Sequence, residues 1–177
     1  MSKIVFLDFD GPLFPKRIFL MEENKGAVES KMCRNLNLYP HIHYWKMDHM
    51  AVGMMNNFSD MGAEFVLSTS WSELHELEVL EHLLKVNGFT GKIHKDWKLE
   101  REDMSLNRSQ NVKLWLNKHP EYFDNYIMID DDSSAPEIVK PDLLSMYGLD
   151  PKRIFAVDIN NGILMGQYHQ MMNTLFD

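Results

Sequence analysis

The sequence predicts an α/β fold, a mostly parallel sheet covered by helices on both faces, with a small insertion after the first strand. Three observations carry this. Short apolar runs alternate with segments of helical periodicity along most of the 177 residues, the pattern of strand–helix–strand units. The strand-like runs are apolar throughout, as strands buried on both faces must be. Finally, the acidic and hydroxyl residues that could carry chemistry stand where such runs end, and parallel sheets bind ligands at the carboxyl ends of their strands.

Residues 3–8 form the first predicted strand and end in Asp8 and Asp10, with Gly11 next. Side chains at i and i+2 of a strand point the same way, so both carboxylates face one spot. Gly11 lets the backbone leave the strand at a dihedral that other residues resist. Two carboxylates at a strand tip make a hard-oxygen site suited to Mg²⁺, with one carboxylate to spare as nucleophile or acid. This is a phosphoryl-transfer arrangement.

Residues 14–46 lack clear periodicity and mix aromatics with charge, so they read as an insertion or flap. The segment holds six basic residues (Lys16, Arg17, Lys25, Lys31, Arg34, Lys46) and three acidic ones (Glu22, Glu23, Glu29) in a chain of net charge −8. A basic segment beside an acidic metal-binding strand would attract a phosphorylated substrate, although a plain solvated surface explains it equally. Phe14, Phe19, Tyr39 and Trp45 would form either a stacking wall for a base or the insertion's own small core. His41 and His43 alternate, but a pair falls short of a metal site.

Residues 47–61 place Met47, Met50, Met54, Phe58 and Met61 at helical spacing before Gly62, a predicted core-facing methionine stripe. A second strand spans 64–68. Ser70 and Glu73 read as a capping box opening a helix with Leu74, Leu77, Leu80 and Leu84 on one face, ending near Gly88. A short strand near 92–97 comes next, then a helix capped by Asn107 and Gln110, carrying Val112, Trp115 and Leu116 and closed by Pro120. Residues 126–130 are another apolar strand and run into Asp130, Asp131 and Asp132. Pro136 and Pro141 limit the next segment to short helical turns; a last strand at 153–158 and a last helix at 164–176 complete the chain.

Composition narrows the function classes. The chain is 45% hydrophobic and 25% charged, ordinary for a globular domain, and one domain is the expectation. No apolar run approaches the length of a membrane span, and a strand beginning after three residues leaves no room for a signal peptide. The single cysteine, Cys33, fits a reducing compartment, so a cytoplasmic protein is expected. The net charge argues against broad binding of duplex nucleic acid.

Four of these features together resemble the haloacid dehalogenase (HAD) superfamily of phosphatases and phosphotransferases. Asp8-x-Asp10-Gly11 is similar to that family's first motif, and Ser68-Thr69-Ser70-Trp71 after a strand is similar to its second. Arg108, at a helix start, stands where the family keeps a lysine or arginine. Ile127-Met128-Ile129-Asp130-Asp131 resembles the fourth motif. The order holds across residues 3–135, and the stretch 107–134 resembles a small branch associated with phage and RNA-repair proteins.

The resemblance implies a three-layer, Rossmann-like sheet and a division of labour. Asp8 would attack phosphorus and carry an aspartyl-phosphate, and Asp10 would serve as general acid and then base. Mg²⁺ would be held by Asp8, Asp10 through its backbone carbonyl, and Asp130, with Asp131 orienting a water. Thr69, or else Ser68, would donate a hydroxyl to phosphate; Gly11, Ser70 and Lys113 are further phosphate contacts. The cation of the third motif would be Arg108, with Lys113, Lys95 and Lys98 as competitors. Trp71 would pack under the motif turn and Trp115 in the core.

An insertion this small leaves no room for the full cap domain usual in the superfamily. The expected reaction is hydrolysis of a phosphomonoester on a nucleotide or nucleic-acid terminal phosphate. Phosphotransfer on the same site, or silent phosphate binding, are the alternatives. The sequence leaves the oligomeric state open.

Overall fold

A computed structural model describes residues 2–24, 46–99, 107–131, 144–145 and 147–177. Cys33, Tyr39, His41, His43, Trp45, Asp132, Pro136 and Pro141 lie outside the described residues, and with them the expectations attached to those positions.

Five strands form one parallel sheet: β1 (Lys3–Leu7), β2 (Ala63–Leu67), β3 (Lys92–Lys98), β4 (Tyr126–Asp131) and β5 (Ile154–Val157), in the order β3-β2-β1-β4-β5. β1 is the central strand, and Ile4 to Leu7 are wholly buried. This is why its sequence is apolar without alternation. The chain winds outward from β1 through β2 to β3, then returns to lay β4 on the other side of β1. That reversal opens a crevice beyond the carboxyl ends of β1 and β4.

Helices cover both faces. On one, Val5, Leu7, Phe65 and Ile129 pack with α1 (His49–Asp60), α3 (Leu77–Val86) and α5 (Met165–Phe176). On the other, Ile4, Phe6, Val66 and Met128 pack with Val112, Trp115 and Leu116 of α4 (Arg108–Lys118). The three-layer expectation holds, and Trp115 is a core residue, with ring centroid 5.2 Å from Phe6.

Two helix expectations need correction. The methionine stripe is only partly internal: Met47, Met54 and Phe58 are buried, but Met50 and Met61 are about half exposed. The buried face consists of Ala51, Val52, Met54, Met55 and Phe58, the true period of about 3.6 residues; Met50 and Met61 lie off it. Asp48 caps α1, accepting from the amides of Met50 and Ala51.

The helix expected to open with a Ser70–Glu73 capping box is two helices. A short α2 (Trp71–Leu74) ends at His75 and Glu76, both extended, before α3 starts afresh. Ser70 is itself helical and caps nothing; instead Ser72 Oγ donates to the Thr69 carbonyl at 2.7 Å. The break leaves Leu74 exposed and re-aims the chain so that Leu80, Leu83 and Leu84 reach the core. The Asn107–Gln110 capping box, by contrast, forms as expected, with both reciprocal bonds at 2.9 Å.

The described ends of the insertion are clamped together. Buried Asn24 donates to the carbonyls of Ile18 and Lys46 and accepts from the Lys46 amide, and Arg17 pairs with Asp48. The flap therefore leaves and re-enters the domain at one place, beside the first motif. Among the described residues no helix is long and apolar enough to cross a membrane.

Candidate active site

Register places the chemistry. Leu7 is level with Leu67 on one side and Ile129 on the other. The next residues of the three strands, Asp8, Ser68 and Asp130, therefore emerge at one level, held by Asp8 N–H to Ile129 O (3.0 Å) and Ser68 N–H to Leu7 O (2.9 Å).

Asp8, Asp130 and Asp131 are all buried, and one oxygen of each lies within 4.8 Å of the others. Arg108, from the first turn of α4, enters this cluster. Its Nη1 donates to both oxygens of Asp130 at 2.7 and 2.6 Å and lies 2.9 Å from Asp8 Oδ2. Burial disfavours the charge on Arg108, yet Asp8 and Asp130 beside it hold it protonated more firmly than a free guanidinium. Burial is also the largest influence on Asp8 and raises its pKa, against the pull of Arg108, the Phe9 amide and the Thr69 hydroxyl.

Three buried carboxylates, two of them paired with Arg108, form an oxygen-rich donor set in which acids outnumber the cation. Asp8 Oδ2 is buried and makes no well-aligned hydrogen bond, so it retains acceptor capacity. Such a donor set fits a small divalent cation bound by oxygen.

Asp10 is not one of the three converging carboxylates. Its Oδ2 accepts from Trp71 Nε1 at 3.0 Å. Burial first, then the charges of Asp8 and Asp131, push its pKa up to about 6 against the Trp71 hydrogen bond. A carboxyl poised there can give or take a proton near neutrality.

Gly11 sits at φ +83°, and a Cβ on it would come within 2.6 Å of Asp131 Cβ. The position therefore demands glycine twice over, for the left-handed turn and for the approach of β4. Its amide donates to Phe14 O at 3.3 Å, so the described role of Gly11 is to let the two acidic strand ends meet.

Thr69 lies beside Asp8, and Ser68 and Thr69 both line a small cavity of about 20 Å³ with Arg108 and Asn111. The Ser68 hydroxyl is buried and accepts or donates no hydrogen bond among the described residues. Ser70 is exposed and does not line this cavity.

Lys113 is not brought to the cluster. Five residues beyond Arg108 is about 140° around a helix, and its ammonium instead donates to the Gly148 carbonyl at 3.2 Å and sits 4.2 Å from the Phe123 ring centroid. Lys95 and Lys98 line a separate cavity. Among these four cations, Arg108 is the one at the carboxylates.

Sequence reasoning missed the role of Trp71. Besides its bond to Asp10, its ring stacks on Phe14, with centroids 5.2 Å apart and planes 8° from parallel. A signal was present: a tryptophan packed beneath a motif turn needs an acceptor for its N–H, and acids were the nearest candidates.

A family model described as the HAD domain in Swiss Army Knife RNA repair proteins matches residues 4–148. No curated protein matches the chain. Among solved structures, a haloacid dehalogenase-like family hydrolase from Streptococcus pneumoniae is similar in fold: TM-score 0.50, 12% identity, covering 98% of this chain and 90% of that one.

Proposed function

We propose, from the premise that this chain belongs to the family of HAD domains in Swiss Army Knife RNA repair proteins, that it is a Mg²⁺-dependent phosphomonoesterase acting on a nucleotide or a nucleic-acid terminal phosphate. Family membership supports a hydrolase of phosphatase type; the metal, the covalent route and the substrate are our reading. The observation that carries it is the convergence of Asp8, Asp130 and Asp131, the first two paired with Arg108, with Asp10 accepting a hydrogen bond from Trp71.

Each residue then has one task. Asp8 attacks phosphorus; the new Asp8–P bond forms as the bond to the ester oxygen breaks. Asp10 gives its proton to that departing oxygen. It later takes a proton from the water that attacks phosphorus and breaks the Asp8–P bond. Arg108 steadies charge on the phosphoryl oxygens, and Thr69, with Ser68 as competitor, donates a hydroxyl to one of them. Asp8, Asp130 and Asp131, with the Asp10 backbone carbonyl, would hold Mg²⁺, which neutralises charge on phosphate and carboxylates when bound.

The test is phosphate release from an aryl phosphate, from nucleotides and from 3′- and 5′-phosphorylated oligonucleotides, with Mg²⁺ or with chelator. Release that requires Mg²⁺ is expected. Release undiminished by chelator would overturn the metal assignment, and no release from any of these esters would overturn the enzymatic reading.

A further inference from the structure

The edge of the sheet departs from its register beside the catalytic cluster. Phe65 pairs with Ile93, but Leu67 pairs with Lys98, so the span from His94 to Trp97 bulges out of the ladder. The bulge is built rather than loose. The Asp96 amide donates to His94 Nδ1 at 3.1 Å, and Trp115 Nε1 of α4 donates to the Asp96 carbonyl at 2.9 Å. Bulges re-aim side chains, and this one borders a cavity of about 650 Å³ between β3 and α4.

The lining is chemically biased. Lys95, Lys98 and Lys118 face it against one aspartate, Asp96, in a chain whose net charge is −8. Trp97 adds a half-buried aromatic face. Asn111 lines both this cavity and the small one shared by Thr69 and Arg108, so the two adjoin. It is 3% exposed, and its Oδ1 accepts no hydrogen bond among the described residues. A buried amide oxygen left so is costly until a donor arrives.

We infer that this cavity is a nucleotide subsite, holding the residue of a single-stranded nucleic acid next to the terminal phosphate at Asp8. The lysines suit the strand's phosphates, Trp97 a base face, and Asn111 Oδ1 an amino or hydroxyl donor from base or sugar. Lysines on an edge strand also deter sheet-to-sheet pairing. That explains Lys95 and Lys98 but not the bulge or the unmet Asn111. The inference rests on the phosphomonoesterase reading for where the reacting phosphate lies, so binding and turnover are measured separately.

The binding probe is a fluorescein-labelled single-stranded RNA trinucleotide, titrated over a salt series into the full chain carrying Asp8→Asn, with and without Lys95→Gln, Lys98→Gln and Lys118→Gln together. These lysines are exposed, so the variant should fold. Its affinity is expected to drop at least tenfold, and its salt slope to flatten by about 1.4, at roughly 0.7 for each of the probe's two internucleotide phosphates. Quenching of tryptophan fluorescence by the unlabelled trinucleotide should fall in Trp97→Phe, the remainder coming from Trp115, which also lines the cavity. With Asp8 intact, the ratio of kcat/KM for the phosphorylated trinucleotide to that for an aryl phosphate should fall about tenfold in the triple lysine variant.

No trinucleotide binding, or binding indifferent to the three lysines, overturns the subsite whatever the turnover. Lysine-dependent binding in a protein that hydrolyses no phosphate ester would instead sustain the subsite and overturn the phosphatase reading.

Discussion

The central pair β1–β4 and the edge strand β3 solve different problems. β1 and β4 keep unbroken register, are buried on both faces, and deliver Asp8, Asp130 and Asp131 to one point with no choice of direction. β3 loses register, stands at the end of the sheet order, and carries exposed lysines and a half-buried tryptophan. Covalent chemistry needs atoms fixed within fractions of an ångström, which a doubly buried ladder supplies. Choice of substrate needs surface that differs from the rest of the fold, and a bulged edge supplies that without disturbing the centre.

Substitutions at the centre should therefore cost most. Asp8→Asn should lower turnover of an aryl phosphate at least ~10³-fold by removing the proposed nucleophile, with circular dichroism unchanged; retained turnover would contradict the covalent route. Arg108→Met leaves buried carboxylates without their cation and should destabilise the chelated protein by about 3–5 kcal/mol. Mg²⁺ should restore part of this in denaturant titration, and equal stability with wild type would refute the electrostatic account. Gly11→Ala meets both the positive φ and the 2.6 Å approach to Asp131. It should lose about 3 kcal/mol, and a loss under about 1 kcal/mol would show that the turn adapts.

Smaller effects probe Asp10. Trp71→Phe removes the hydrogen bond that holds the Asp10 carboxyl down, so the pH–rate limb assigned to Asp10 should move up by roughly one pH unit; an unmoved limb would detach Trp71 from the reaction. Smallest is a pH effect on stability. Asp10 has a folded pKa of about 6 against an ordinary 3.8, so the folded state takes up a proton that the unfolded state does not. In chelator, stability from this group is absent above about pH 6 and gained as the pH falls toward about 5, on the order of 1 kcal/mol. Denaturant titrations at both ends check it, and lower stability at the acidic end would reverse the sign.

The same contrast explains what the sequence made legible. A strand buried on both faces advertises itself as a continuous apolar run, and an acid ending that run marks its tip, so Asp8, Asp130 and Asp131 could be read directly. The Asn107–Gln110 cap was legible because its partners are three residues apart. Trp71 and Asp10 are 61 residues apart, and no local pattern announces such a bond. The β3 bulge is a fact about pairing with β2, invisible in β3 alone. Met50, Met61 and Leu74 show the remaining weakness: near-helical spacing admits residues one step off the buried face, and the helix break at His75 leaves Leu74 outside while Leu80 and Leu84 stay in the core.

The measurement closest to the central claim is acid quenching of the enzyme during turnover of an aryl phosphate with Mg²⁺, followed by peptide mapping by mass. The account predicts one phosphoryl group on the peptide carrying Asp8, absent in Asp8→Asn. Steady turnover with that peptide never phosphorylated, or the phosphoryl group on another residue, would contradict it.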